Sequence, residues 1–267
     1  MDLGLAGATA VVTGGSKGMG LAIAETLAAD GAKVAVMARG QAALEAATEA
    51  LLAAGAPDAV GISVDMTSAD SIAAGFAEVH ERWGALNSLV HTIGPGDGYF
   101  EEMSDADWED AFALGTMSGV RSIRAALPML RAAEWARIVT LSAHSIQRQN
   151  PRIVAYTASK AALSSVTKNL SKSLAKDGIL VNCVCPGTIV TASFTENLKD
   201  ILAADGLDAT DPVDVMKWID DNFHQPCDLG RAGLPEEIAS ITTYLASKRN
   251  GYVTGATVNV DGGSDFM

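Results

Sequence analysis

Short β-branched runs alternate with Ala-rich segments of helical periodicity from one end of this chain to the other, and few architectures can absorb that alternation. The apolar runs are Thr9–Val12, Lys33–Met37, Val60–Val64, Ser88–Ile93, Arg137–Leu141, Leu180–Cys185 and Thr257–Val260. Between them the helical segments are Gly18–Asp30, Gln41–Ala54, Ala69–Trp83, Asp105–Arg131, Tyr156–Lys176 and Pro235–Ala246. Runs that are apolar at nearly every position predict strands buried on both faces, as in a parallel sheet covered by helices. The expected fold class is α/β, three layers doubly wound about a seven-stranded parallel sheet. No linker, internal repeat or low-complexity tract interrupts the 267 residues, so residues 1–267 are read as one domain.

One stretch breaks the rhythm. From Ala192 to Leu229 the chain turns acidic and irregular, with Phe194, Leu198, Met216, Trp218 and Phe223 spaced among Asp and Glu. It follows a strand end, where open α/β sheets bind ligands, so residues 192–229 are expected to form a substrate lid; a surface insertion or a subunit contact is the alternative.

Charge narrows the partners. The formal net charge of −13 repels phosphate backbones and anionic membranes, so neither nucleic acid nor a membrane is an expected partner. No segment holds the ~18 consecutive apolar residues that span a bilayer. Cys183, Cys185 and Cys227 have no metal-ligand or CxxC spacing and read as free thiols in a reducing cytoplasm. No metal site is expected; His80 and His224 read as structural or surface residues.

The first strand runs into Thr13-Gly14-Gly15-Ser16-Lys17-Gly18-Met19-Gly20, which opens the first helix. Gly14 permits the tight turn, Gly18 lets backbone approach a pyrophosphate, and Gly20 lets the helix pack on the sheet. Free N–H groups and the positive helix end then face the phosphates, which points to a dinucleotide and a Rossmann fold. At the end of the second strand an NAD site usually places a carboxylate for the ribose hydroxyls. Here Ala38 takes that place and Arg39 follows, a guanidinium suited to a 2′-phosphate, with Lys17 in reach of the same group. The expected cofactor is therefore NADP(H), with NAD(H) as the lesser alternative. Asp65, ending the third strand, either accepts a hydrogen bond from the adenine amine or caps the helix after it.

The chemistry end is Tyr156-Thr157-Ala158-Ser159-Lys160, which puts Tyr156 and Lys160 one helical turn apart on one face. A nearby ammonium favours the phenolate, so the phenol can exchange a proton with a carbonyl or alcohol oxygen. With the TGGSKGMG loop, Asp65, YTASK, VNCVCPGTIVT and the final GATVNVDGG, the chain resembles the short-chain dehydrogenase/reductase family over nearly its whole length. The resemblance implies Tyr156 as catalytic acid/base and Lys160 as its partner on the nicotinamide ribose. It implies that Ile189 and Thr191 hold the carboxamide and diphosphate, and that Ser16, Met19, Met66, Ile93, Gly94, Pro186 and Gly187 complete the cofactor site. It also implies a homotetramer, or less often a homodimer, paired through Asp105–Arg131 and Tyr156–Lys176.

Three positions depart from the family pattern. Its Asn-Asn-Ala-Gly is His91-Thr92-Ile93-Gly94 here, its asparagine falls on Gly115, and its substrate-binding serine falls on Ala143. Ser142 or Ser145 is the expected replacement donor, with His144 also within the loop and no donor as the alternative; Ser142 points away unless the strand ends or bulges there. The resulting expectation is an NADP(H)-dependent oxidoreductase acting on a ketone or secondary alcohol of an apolar small molecule. An enoyl- or dienoyl-thioester reductase and a cofactor-binding protein with weak or no catalysis are the alternatives.

Overall fold

The computed structural model describes residues 2–96 and 98–264. Seven strands, β1 (Thr9–Thr13), β2 (Lys33–Ala38), β3 (Ala59–Ser63), β4 (Ser88–His91), β5 (Ala136–Leu141), β6 (Ile179–Pro186) and β7 (Thr257–Val260), form one parallel sheet in the order β3-β2-β1-β4-β5-β6-β7. Alternate residues of each strand serve opposite layers. Val12, Val36, Val90 and Val139 pack under α1 (Gly18–Ala29), α2 (Gln41–Ala54) and α9 (Pro235–Ala246). Val11, Met37, Leu89 and Ile138 pack under α3 (Ala69–Trp83) and α5 (Ser118–Ala132), with α6 (Val154–Ser173) against β6 on that side. The three-layer, doubly wound Rossmann architecture expected from the alternation is the observed one.

Two expectations need correction. The segment Asp105–Arg131 is not one uninterrupted α-helix: α4 (Asp105–Phe112) and α5 are joined by a π-helical turn, Ala113–Met117, centred on Gly115. A side chain at 115 would run into the Ser159 hydroxyl of α6, so glycine lets these two helices come together. The stretch after Thr191 is not irregular but folds into α7 (Ala192–Ala204) and α8 (Pro212–Phe223). Thr191 accepts from the Phe194 amide and Asp211 from the Val213 amide, capping both helices, and Pro212 presets the first turn of α8. Leu202, Val215, Met216, Trp218 and Ile219 then bury one another in a separate cluster beside the sheet.

The chain reverses its winding direction between β1 and β4, which places a crevice beyond their carboxyl ends. Thr13 pairs with His91 across this point, and their side chains bond Oγ1 to Nδ1 at 2.8 Å. The other ring nitrogen lies 3.1 Å from the Ser118 hydroxyl. The imidazole is completely buried, and that burial, aided by the nearby Lys160 charge, pushes its pKa down to about 3. His91 is therefore neutral wherever the protein works. Between pH 6.5 and about 3 the unfolded chain takes up a proton that the folded chain refuses, so stability from this residue is complete above pH 6.5 and lost as pH falls. His91→Asn is expected to flatten that dependence. Urea unfolding at pH 7 and pH 5 should show the wild type losing about 2 kcal/mol of stability relative to the variant, nearly all of it below pH 6.5.

Candidate active site

A cleft of about 640 Å³ opens at the switch point. Gly14, Ser16, Lys17, Gly18, Met19, Gly20, Arg39, Asp65, Met66, Ile93, Gly94 and Thr191 all line it. Thr92, Leu114 and Ser193 line it too. Sequence reasoning missed them, because Thr92 follows β4, Leu114 sits in the π-helical turn and Ser193 in the first turn of α7, and residues so far apart leave no local motif.

The glycine loop is shaped by close backbone approach. A Cβ on Gly20 would collide with the Gly14 carbonyl, and one on Gly15 would come within 2.6 Å of Val36. Gly14 and Gly18 have φ of +77° and +55°, which L side chains rarely adopt. Lys17 is the N-cap of α1 but supplies no side-chain acceptor, so the first turn keeps donors for an anion. Gly94 lies directly over the pair: a Cβ there would reach ordinary van der Waals contact with Tyr156 and Lys160 at 3.4 and 3.6 Å. Arg39 is exposed with no ion-pair partner among the described residues. These donors, glycine gaps and unpaired guanidinium fit a phosphorylated dinucleotide. Asp65 turns its Oδ1 to Thr67, accepting from the amide at 2.9 Å and the hydroxyl at 2.8 Å. Those bonds hold its carboxyl below the usual range, and the cap of α3 falls instead to Ser68.

A smaller cavity of about 210 Å³ is lined by Met19, Ser142, Ala143, His144, Ser145, Ile153, Tyr156, Pro186 and Gly187. Met19 belongs to both spaces, so the two adjoin. Lys160 lies buried beneath, its Nζ donating at 2.7 Å to the Ile93 carbonyl and at 2.7 Å to that of Leu141. The same Nζ stands 5.8 Å from the centre of the Tyr156 ring. Burial pushes the Lys160 pKa down to about 8, opposed by the nearby Cys183 and Cys185 thiols. Two carbonyls use two of its three N–H donors and leave one.

The candidate serines are brought to different partners. Strand β5 ends at Leu141, and Ser142 donates its hydroxyl proton to the Lys160 carbonyl at 2.9 Å, stitching the strand end to α6. Ser145 instead accepts from the Thr157 hydroxyl at 3.0 Å, leaving its own proton to be donated elsewhere. His144 Nδ1 lies 3.2 Å from the Pro186 carbonyl. Ile189 is not in the cofactor cleft: it bridges to Gly233 and packs its buried side chain there. Among the described residues, no cluster of His, Cys, Asp and Glu could hold a metal ion, and no helix is long and apolar enough to cross a membrane.

Residues 14–265 match the family described as Enoyl-(Acyl carrier protein) reductase. Dehydrogenase/reductase SDR family member 4 of Caenorhabditis elegans is 32% identical over 259 residues, covering 96% of this chain and 95% of its own. The 3-oxoacyl-(acyl-carrier-protein) reductase FabG of Escherichia coli is 33% identical over 258 residues, 96% of this chain and 97% of its own. Among solved structures, L-sorbose reductase from Gluconobacter frateurii, complexed with NADPH and L-sorbose, superposes with a TM-score of 0.93 at 29% identity, covering 100% of both chains. With its sheet order, glycine loop and Tyr156–Lys160 pair, the chain belongs to the short-chain dehydrogenase/reductase family of oxidoreductases.

Proposed function

We propose that this chain is an NADP(H)-dependent oxidoreductase that interconverts a ketone and a secondary alcohol on a small molecule with an apolar body. The observation that carries the reading is Lys160, buried and clamped by two carbonyls beneath Tyr156, where the dinucleotide cleft meets the smaller cavity. Bound NADP(H) supplies or accepts the hydride. The cleft residues hold it: the Gly14–Gly20 loop and α1 face the phosphates, and Arg39 with Lys17 meets the 2′-phosphate. NADP(H) is favoured by Ala38 and Arg39 at the β2 end, and by the relative solved with NADPH.

Tyr156 gives a proton to the substrate oxygen on reduction and takes one on oxidation. The Lys160 charge stabilises the phenolate and fixes the ring above the cleft floor. Ser145, in the cavity with a proton to donate, stands in for the family serine replaced by Ala143 and polarises the substrate oxygen. Ser142 keeps the Leu141–Lys160 junction closed and acts on stability. The helices α7 and α8 serve as the lid within residues 192–229, supported by their place after β6 and their own apolar cluster. The reading extends to a cytoplasmic homo-oligomer, a tetramer rather than a dimer, paired through the α4–α5 and α6 faces as the family resemblance implies.

A second reading is reduction of a conjugated carbon–carbon double bond. It is favoured by the missing serine at Ala143 and missing asparagine at Gly115, since that reaction does not need a carbonyl held by the serine. Following NADPH absorbance with ketones and with unsaturated thioesters separates the two.

Tyr156→Phe is expected to lower ketone turnover by about 10²–10⁴-fold, while NADPH fluorescence still reports binding; full turnover in the variant overturns the mechanism. Ser145→Ala is expected to lower kcat by about 10²-fold, against a loss of about 1 kcal/mol of stability and little else in Ser142→Ala. Arg39→Ala should cut the preference for NADPH over NADH about tenfold or more, read from the two dissociation constants.

A further inference from the structure

Two of the cations around the site are already spoken for. Arg148 gives one nitrogen to the Ser264 carbonyl at 2.9 Å and another to the His224 carbonyl at 3.1 Å, tying the end of α8 to the chain after β5. Lys160 is held by its two carbonyls. Arg152 is different. Its guanidinium stands 4.5 Å from the Phe223 ring centre and 5.6 Å from that of Tyr99. Its side chain has no hydrogen-bond or ion-pair partner among the described residues, and the residue is exposed.

The three segments that meet here follow the carboxyl ends of three neighbouring strands: Tyr99 after β4, Arg152 after β5, and Phe223 in the helix pair after β6. That edge is where an open α/β sheet binds its ligand. Arg152 is the middle residue of the short turn Pro151–Ile153 that leads into α6, and its chain neighbour Ile153 lines the cavity with Tyr156. Aromatic faces orient a guanidinium and take up none of its in-plane N–H donors. The fork is therefore aimed and unspent. In a chain of net charge −13, with 32 acidic residues, an Arg at a ligand edge without a carboxylate partner is a charge kept for something outside the chain.

We propose that Arg152 recognises an oxyanion on the substrate, so that the preferred carbonyl compound carries a carboxylate or phosphate beyond its apolar body. The inference deepens the oxidoreductase reading and rests on it for the reacting carbonyl. Because the field over the rest of the surface repels anions, a local fork supplies the discrimination.

The test compares matched pairs that differ in charge: 4-oxopentanoate with its methyl ester for the carboxylate, and the acetoacetyl thioester of 4′-phosphopantetheine with that of pantetheine for the phosphate. In the wild type the anionic member of at least one pair is expected to have a kcat/KM at least tenfold above its neutral partner, and the pair that shows it names the source of the oxyanion. Arg152→Met should collapse that ratio at least tenfold through KM, with Arg152→Lys recovering part of it. A ratio near one in both pairs overturns the proposal. So does an Arg152→Met variant that slows both members of a pair equally, because a mere brace between Tyr99 and Phe223 predicts that. Calorimetric titration of the NADP⁺-loaded protein with the two anions keeps the test independent of turnover. Arg152-dependent binding without turnover sustains anion recognition and sinks the catalytic reading; absence of binding together with absence of turnover overturns both.

Discussion

The Lys160 ammonium bonds the carbonyl of Ile93, just past β4, and that of Leu141, at the end of β5, while its own backbone belongs to α6. One buried charge thus joins two strand ends and a helix at the place where the dinucleotide cleft meets the smaller cavity. An ammonium out of water is costly unless its donors are used, and here carbonyls left over at the strand ends use them. The cost is visible in its depressed pKa, about 8. Tyr156, one turn earlier on α6, stands with its ring centre 5.8 Å from that ammonium and lines the smaller cavity. Ser142 reinforces the same joint by donating to the Lys160 carbonyl.

Close packing of glycines continues around that joint. Gly115 brings the π-helical turn against Ser159, and the Thr116 hydroxyl donates to the Ser159 carbonyl at 2.8 Å, so the turn and α6 are held together. His91, in the place of another family asparagine, bonds Thr13 and lies beside Ser118. Gly119 gives it room, since a Cβ there would press on the imidazole at 3.2 Å. His91 and Gly119 are thus one packing solution, in which a larger side chain from the sheet is accommodated by a glycine on the helix, while Gly115 serves the contact with Ser159.

Much of this was legible in the sequence because it depends on residues close together in the chain. Strand and helix identities follow from local periodicity, and six of the helices from Gly18 onward carry it plainly. The glycine loop is legible because turn, backbone approach and helix start fall within eight residues, and the Tyr156–Lys160 pair because one helical turn separates them. Helices α7 and α8 were not legible: their apolar faces pack mainly on one another, among acidic residues that mask the period.

From the sequence alone came the parallel α/β fold, the dinucleotide loop, the Arg39 fork and the Tyr156–Lys160 pair. Tertiary structure decided the rest. Ser142 and Ser145 lie three residues apart and look equivalent in sequence, yet only the packing of β5 against α6 sends one hydroxyl to a backbone carbonyl and leaves the other with a proton to give. Arg152 reads as an ordinary surface cation until Tyr99 and Phe223, 53 residues before it and 71 after it by their numbering, close on its two sides. Such roles arise from contacts between strand ends that lie far apart in the chain, and no local period encodes them.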